Sequence, residues 1–137
     1  MRFMLLRKAD AKTEAGVMPD ARLMAVMGSF MEEMVKAGVL LAGEGLHPSA
    51  KGARVKFSAG KPVVTDGPFA EAKEVLGGYW MIDVKSREEA IGWAKKCPAS
   101  ENEIVEIRQV QEMTDFSEEV QEAAKGFAEL QGRTVRR

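Results

Sequence analysis

Two side chains of this sequence are well suited to acid–base chemistry. Asp66 opens the tetrapeptide Asp66-Gly67-Pro68-Phe69, in which the glycine and the proline favour a fixed turn and hold the carboxylate at a corner of the chain. His47 is the single histidine, and an imidazole suits proton transfer near neutral pH. Together the two residues predict proton transfer to or from a small organic molecule, with Asp66 as the base and His47 as its partner.

Both residues also have a structural interpretation. An aspartate before a helix commonly acts as an N-cap, its carboxylate accepting backbone N–H groups, and residues 69–74 are predicted to be a short helix. A histidine in a loop rich in glycine and proline is often simply exposed to water. The sequence leaves these alternatives open.

Further polar residues are candidates for ligand binding. Glu106 and Arg108 stand two apart on a predicted strand and share one of its faces. Arg108 could therefore hold an anionic group in a cavity, with Glu106, Glu44 or Asp66 as its carboxylate partner, or the two could form a charge pair in water. Glu44 follows a predicted short strand, in the same loop as His47.

The motif after the corner and the next strand add two more candidates. Lys73 could contact an anion at the mouth of a pocket, although a solvated or salt-bridged helix is the plainer interpretation. Tyr79 and Trp80 are predicted to point to opposite faces of a strand, so that one fills the core and the other lines the second face, where Tyr79 could contact a ligand or pack.

Several other functions are disfavoured. One cysteine and one histidine are too few for a structural zinc site, and no metal or cofactor is expected, although magnesium bound by Asp66 and Glu71 is conceivable. Cys97 lacks a nearby base for thiol catalysis, and the phosphate-binding glycine motifs are missing from the sequence. The net charge of −1 argues against nucleic acid as a ligand. The chain shows neither a signal peptide nor a membrane span, which predicts a cytoplasmic protein.

The hydrophobic pattern predicts strand, helix, strand, hairpin, strand, helix, strand. The strands are predicted at residues 2–8, 39–42, 77–84 and 103–110, with hairpin arms at residues 54–58 and 62–65 joined through three residues. The first helix is predicted from apolar residues at residues 23–34, and the second begins at a capping box, Ser86-Arg87-Glu88-Glu89. Two strand-helix-strand units around a hairpin insertion predict an α+β ferredoxin-like sandwich with both helices on one sheet face. The second face is apolar at Tyr79 and Met81, so it needs a cover, which a homodimer would supply.

The stretch Val64–Glu74, VTDGPFAEAKE, closely resembles the DGPF signature of the YCII-related proteins, usually written DGPFAETKE. Ala72 replaces the usual threonine and Gln109 a usual proline. The resemblance covers residues 1–113 and implies a dimeric α+β barrel, in which two sheets enclose a small cavity. It also implies a histidine and an aspartate that face each other in a pocket, and it assigns the aspartate to Asp66. The choice of His47 rests on the residues of this sequence.

Residues 114–137 lie beyond the family core and are predicted to form one extra helix and a basic tail. Apolar residues in steps of four and three indicate the helix. This apolar stripe is predicted to pack on its own subunit or on the partner subunit, or else to be a docking site for another protein. Three functions follow from the whole: an acid–base enzyme acting on a small, anionic organic molecule in an intersubunit cavity, a small-molecule-binding regulatory module linked to transcription or stress response, and a structural dimer without a ligand.

Overall fold

The computed structural model describes residues 1–71 and 74–133. The described residues form six strands and five helices, together with the 3₁₀ turns Ser49–Lys51 and Met113–Asp115. The strands are β1 (Arg2–Lys8), β2 (Leu40–Gly45), β3 (Ala53–Ser58), β4 (Lys61–Asp66), β5 (Leu76–Asp83) and β6 (Val105–Gln109). The helices are α1 (Ala11–Glu14), α2 (Ala21–Lys36), α3 (Arg87–Lys95), α4 (Glu118–Ala123) and α5 (Phe127–Gly132).

Four strands form an antiparallel sheet in the order β2-β5-β1-β6, while β3 and β4 form a separate two-stranded hairpin. The predicted α+β class and the predicted order of the main elements are therefore confirmed. Pairing of β1 with β5 and β6 places Leu6 opposite both Tyr79 and Glu106, so these side chains share one face of the sheet.

One hydrophobic core joins the other sheet face to helices α2 and α3. Alternate residues of β1 and β5 point into it, and helix α2 contributes Phe30 and Met34, while helix α3 contributes Ala90. The rings of Phe30 and Trp80 meet edge to face, with centroids 5.3 Å apart. The prediction that Trp80 fills the core while Tyr79 takes the opposite face is confirmed.

The opposite sheet face lies outside this core. Its central side chains are half-buried and apolar, and charged residues surround them. These central residues are Met4, Leu6, Tyr79 and Met81, and we call them the open sheet face. Such a surface is too apolar to be an ordinary solvated sheet.

Strand β2 is longer than predicted, and glycine explains the error. Gly43, expected to break the strand, lies inside it opposite Trp80. A Cβ atom at Gly43 would lie 2.7 Å from the indole Cδ1 atom, so the missing side chain makes room for the core tryptophan. Glu44 is consequently a strand residue and not a loop residue.

The hairpin turn contains two residues where three were predicted. Ala59 and Gly60 have φ angles of 51° and 76°, and positive values at both positions allow a two-residue turn that follows the strand twist. Register pairs Val55 with Val64 and Phe57 with Pro62. These four side chains therefore share one face, which we call the apolar hairpin face.

The C-terminal segment is two short helices and not the single helix that was predicted. Gly126 adopts a left-handed φ of 97° between α4 and α5, where the chain leaves the helical path. Arg2 donates two hydrogen bonds to Glu112, at 2.7 and 3.0 Å, which ties the start of this segment to β1. We call residues 113–133 the C-terminal arm; of the predicted basic tail, residues 133–137, all but Arg133 lie outside the described residues.

Candidate functional site

A cleft of about 930 Å³ lies at the end of the sheet where β1 stops. Loops from distant parts of the sequence form its walls: the α1–α2 segment, the residues after β2, and the residues before β6. His47 lies in the wall that follows β2, beside Pro48, and its side chain is exposed. The cleft is therefore the place where the predicted imidazole could meet a ligand.

Helix α1, a region for which the hydrophobic pattern predicted no helix or strand, forms one wall of this cleft. It begins at a capping box in which the Asp10 carboxylate accepts the Thr13 backbone N–H at 2.8 Å and the Thr13 hydroxyl accepts the Asp10 backbone N–H at 3.0 Å. The hydrogen bond from the Thr13 backbone lowers the pKa of the Asp10 carboxyl below its ordinary value. The cap fixes the α1 wall and keeps Asp10 ionised.

The carboxylates of the cleft are all engaged. Glu103 accepts a hydrogen bond from Arg7 at 3.0 Å, and both side chains are largely buried, with exposures of 7% and 17%. Asp20 caps α2 by accepting the Leu23 backbone N–H at 2.8 Å. With Asp10 held by Thr13, each carboxylate of the cleft has a hydrogen-bond donor within the chain, and among the described residues Glu103 alone is paired with a cation.

The unengaged polar groups are of the opposite kind. Lys12 and Arg22 line the cleft, and within the described ranges 1–71 and 74–133 neither makes a salt bridge. His47 is the third such group. The cleft therefore presents two cations and one imidazole that could contact an anionic group, alongside the capping carboxylates Asp10 and Asp20, which keep their negative charges.

Apolar residues complete the cleft wall. Leu23 and Val26, two of the apolar residues from which the first helix was predicted, belong to the first half of α2 and line the cleft. Val17, Met18 and Leu46 add to this apolar surface. A ligand with a small apolar body and an anionic group would match both parts of the lining.

Asp66 lies outside this cleft. It ends β4 on the same side of the hairpin as Val64, and its side chain is exposed. Among residues 1–71 and 74–133, no donor makes a hydrogen bond to its carboxylate, and residues 69–71 are not helical. Asp66 is thus not observed as a helix N-cap, and one copy of the chain does not bring it together with His47.

The rest of the Asp-Gly-Pro-Phe corner is built into the fold. Ser49 is buried; its backbone N–H donates to the Glu14 carboxylate at 2.9 Å, and its hydroxyl donates to the same group. The same hydroxyl accepts the Phe69 backbone N–H at 3.0 Å. The Gly67 N–H donates to the Gly52 carbonyl at 3.0 Å. The motif therefore has a structural role at Gly67 and Phe69, and this role leaves the Asp66 carboxylate free.

Three of the remaining predicted binding residues, Arg108, Tyr79 and Glu44, do not line the cleft. Arg108 pairs with Glu106, 3.5 Å from Nη1 to Oε2, at an exposed position beside the open sheet face. Tyr79 and Glu44 are cross-strand neighbours on that same face. Lys73 lies outside the described residues, and so does Ala72.

Lys12 and Arg22 were not predicted from the sequence, because an isolated basic residue carries no sequence signal. The Asp10-x-x-Thr13 spacing of a helix cap, however, could have revealed α1.

Cys97 is expected to be chemically unreactive in the native protein. It is buried, and this desolvation raises the pKa of its thiol to about 11. At pH 8 we expect its alkylation by iodoacetamide to be at least about 100-fold slower than that of an exposed cysteine, because so little thiolate is present. Mass spectrometry against a Ser58→Cys variant, whose new thiol lies on the exposed hairpin, measures the ratio. Equal rates at the two thiols would contradict this expectation.

Across the described ranges, no group of three or more His, Cys, Asp or Glu side chains is placed to hold a metal ion. Asp66 and Glu71 therefore do not form part of such a cluster there. No helix within those ranges has the length and apolar character needed to cross a membrane.

The antiparallel sheet with helices on one side and a polar cleft at its end defines a small α+β protein with a candidate ligand site. The chain belongs to the YCII-related domain family, whose sequence model matches residues 1–114. A protein of Rhizobium meliloti (strain 1021), described as uncharacterised, is 40% identical over 76 residues, which is 56% of this chain and 61% of that protein. The match thus spans about three fifths of the relative's length. The family predicted from the sequence is confirmed.

Proposed function

We propose that this YCII-related protein is an acid–base enzyme that acts on a small organic anion in the cleft beside His47. The observation that carries the proposal is a difference between the acidic and the basic groups of the cleft. Its carboxylates are held by Arg7, Thr13 and the start of α2, while Lys12, Arg22 and His47 are unengaged. The two cations would bind the anionic group and the imidazole would move the proton.

The cleft's apolar wall sets the kind of anion. Leu23, Val26 and Leu46 suit a short alkyl or aryl body, whereas a highly charged ligand such as a polyphosphate would leave that wall in contact with its charges. A monocarboxylate with a compact apolar body is the class that satisfies both surfaces. Arg108, first considered for this role, already pairs with Glu106.

We further propose a homodimer joined through the open sheet face, in which the ferredoxin-like sandwich becomes half of a dimeric α+β barrel. The strand order and the placement of both helices on one face support the sandwich, and the half-buried Met4 and Met81 support an interface. Pairing of Asp66 with His47 then requires the second subunit. The exposed, unengaged Asp66 carboxylate is consistent with that role.

The alternative is a binding module that regulates a partner and catalyses nothing. The observation in its favour is that the cleft contains His47 without Asp66, so a single chain lacks an acid–base pair. Binding of an anion would then alter the loops that form the cleft walls. The two functions share a ligand class and differ in chemistry.

Replacing His47 with glutamine is expected to distinguish the acid–base enzyme from the binding module. NMR titration of the labelled protein with benzoate, and with benzyl alcohol as its uncharged match, should show benzoate shifting the resonances of the cleft residues and benzyl alcohol doing so at least about tenfold more weakly. Incorporation of solvent deuterium into short 2-oxo acids then reports proton transfer. We expect His47→Gln to keep benzoate binding within about threefold and to lower the exchange rate at least about 100-fold.

Two further variants complete the test. Arg22→Gln should weaken benzoate binding. Asp66→Asn should leave the fold intact, and it should lower the rate of deuterium exchange only if the Asp66 carboxylate works together with the His47 imidazole. If benzoate does not shift the resonances of the cleft residues in the unmodified protein, the cleft is not an anion site. Binding without exchange for any of the 2-oxo acids would favour the regulatory module.

A further inference from the structure

The hairpin exposes a hydrophobic surface that the described residues of its own chain leave uncovered. Every residue of β3 and β4 is exposed, including Phe57 at 77%, Val64 at 64% and Val55 at 55%. A two-stranded hairpin is marginally stable in water without something packed on it. A continuous surface formed by the apolar hairpin face is therefore expected to have a partner.

The C-terminal arm has the same property. Phe127 and Leu130 lie three residues apart on α5, hence on one side of that helix, and their side chains are 53% and 61% exposed. Val120 on α4 is exposed as well. The arm thus presents apolar side chains that residues 1–71 and 74–133 leave largely exposed.

The two surfaces carry opposite charge. Residues 51–61 contain four basic residues and no acidic one, whereas the C-terminal arm, residues 113–133, contains five acidic residues and two basic residues. The basic side chains Arg54, Lys56 and Lys61 project from the hairpin's other side, next to its apolar face. This arrangement would steer the acidic arm toward the hairpin while apolar contacts hold it there.

The position of the two elements in the sheet decides between the same chain and a second copy. The arm leaves from β6 at one edge of the four-stranded sheet, and the hairpin is inserted after β2, the strand at the other edge. The arm is present and folded in the structure, and it leaves the apolar hairpin face exposed. The arm of the same chain starts at the β6 edge of the sheet, far along the sheet from the hairpin. The arm of a second copy is not restricted in this way.

We propose that two copies of this chain exchange their C-terminal arms, so that α5 of each copy packs on the apolar hairpin face of the other. Two-fold symmetry makes the contact reciprocal, and both hairpins and both arms are covered at once. The exchange lies outside the cleft and does not depend on the function proposed for it. It also places a protein surface beside Asp66, which shares the apolar side of the hairpin.

Cysteine cross-linking tests the exchange directly. Phe57→Cys and Leu130→Cys chains are expressed together in full-length form and treated with a short bis-maleimide; the buried Cys97 serves as an unreactive background. We expect a covalent dimer containing one chain of each kind. Val63→Cys lies on the opposite hairpin face and is the matched control, which we expect to give at least about tenfold less cross-linked dimer with Leu130→Cys.

The dissociation constant of the dimer gives a second readout that needs no cross-link. In sedimentation equilibrium, Phe57→Ser should weaken the dimer at least about tenfold, whereas Val63→Ser should change it less than about twofold. Higher salt should weaken the unmodified dimer, because it screens the attraction between arm and hairpin.

Three results would overturn the exchange. The first is a double variant, Phe57→Cys with Leu130→Cys, that cross-links within one chain without forming a dimer. The second is a control at Val63 that cross-links as well as Phe57. The third is a dimer that forms normally with Phe57→Ser, which would indicate assembly through the open sheet face alone.

Discussion

Replacing Gly67 with alanine is expected to lower the free energy of unfolding by about 3 kcal/mol or to prevent folding. The added Cβ atom would overlap the backbone carbonyl oxygen of Ser49 and lie 2.6 Å from its carbonyl carbon. Neither atom can move aside as the end of a flexible side chain could, because Ser49 is fixed by its bonds to Glu14 and Phe69. Urea denaturation followed by circular dichroism measures the loss.

Gly28 offers the matched control for this substitution. It lies inside α2 and has open space where a Cβ atom would be. Gly28→Ala should therefore stabilise the protein by about 0.5–1 kcal/mol, because alanine favours the helix. If both alanine variants unfold within about 0.5 kcal/mol of the unmodified protein, the close approach of Gly67 to Ser49 does not constrain the fold.

Truncating Met34 to alanine should cost about 2–5 kcal/mol of stability. Its side chain has 0% exposure and lies between α2 and the sheet, in contact with the core that holds Phe30 and Trp80. Removal of the thioether therefore leaves a cavity that the close-packed neighbours cannot fill. The shift in the midpoint of urea denaturation, at unchanged slope, gives the value.

Met24 on the same helix makes a like-for-like comparison. It is 57% exposed, so Met24→Ala should change stability by no more than about 0.5 kcal/mol. Similar losses at both methionines would mean that α2 does not present its Phe30 and Met34 side to the sheet.

Local patterns in the sequence predict the sheet and its two main helices well. Strand β1 is the predicted apolar run, and α3 begins where Ser86 accepts the Glu89 backbone N–H at 3.1 Å. These elements were predictable because each is specified by residues that are close in sequence. The exceptions are instructive: Gly43 looks like a strand breaker, and only its position opposite Trp80 explains why the strand continues.

The candidate site was predictable only in part, because the cleft is assembled from loops that are far apart along the chain. His47 was anticipated on chemical grounds, and the structure places it in a cleft wall. Lys12 and Arg22 were not, since only the folded arrangement of α1 and α2 shows that they lack acidic partners there. The corner motif indicated the family correctly, yet its contacts show that Gly67 and Phe69 serve the architecture while Asp66 points elsewhere.

The hydrogen bonds of Ser49 join two regions that otherwise have separate roles. Glu14 ends the helix that walls the cleft, and Phe69 follows the hairpin, so one buried hydroxyl spans from one to the other. When α1 opens, Glu14 no longer holds the Ser49 hydroxyl in place for its hydrogen bond with Phe69. We therefore expect the amide proton of Phe69 to exchange with solvent at a rate governed by the opening of α1. The cleft wall and the base of the hairpin are thus joined through one buried side chain.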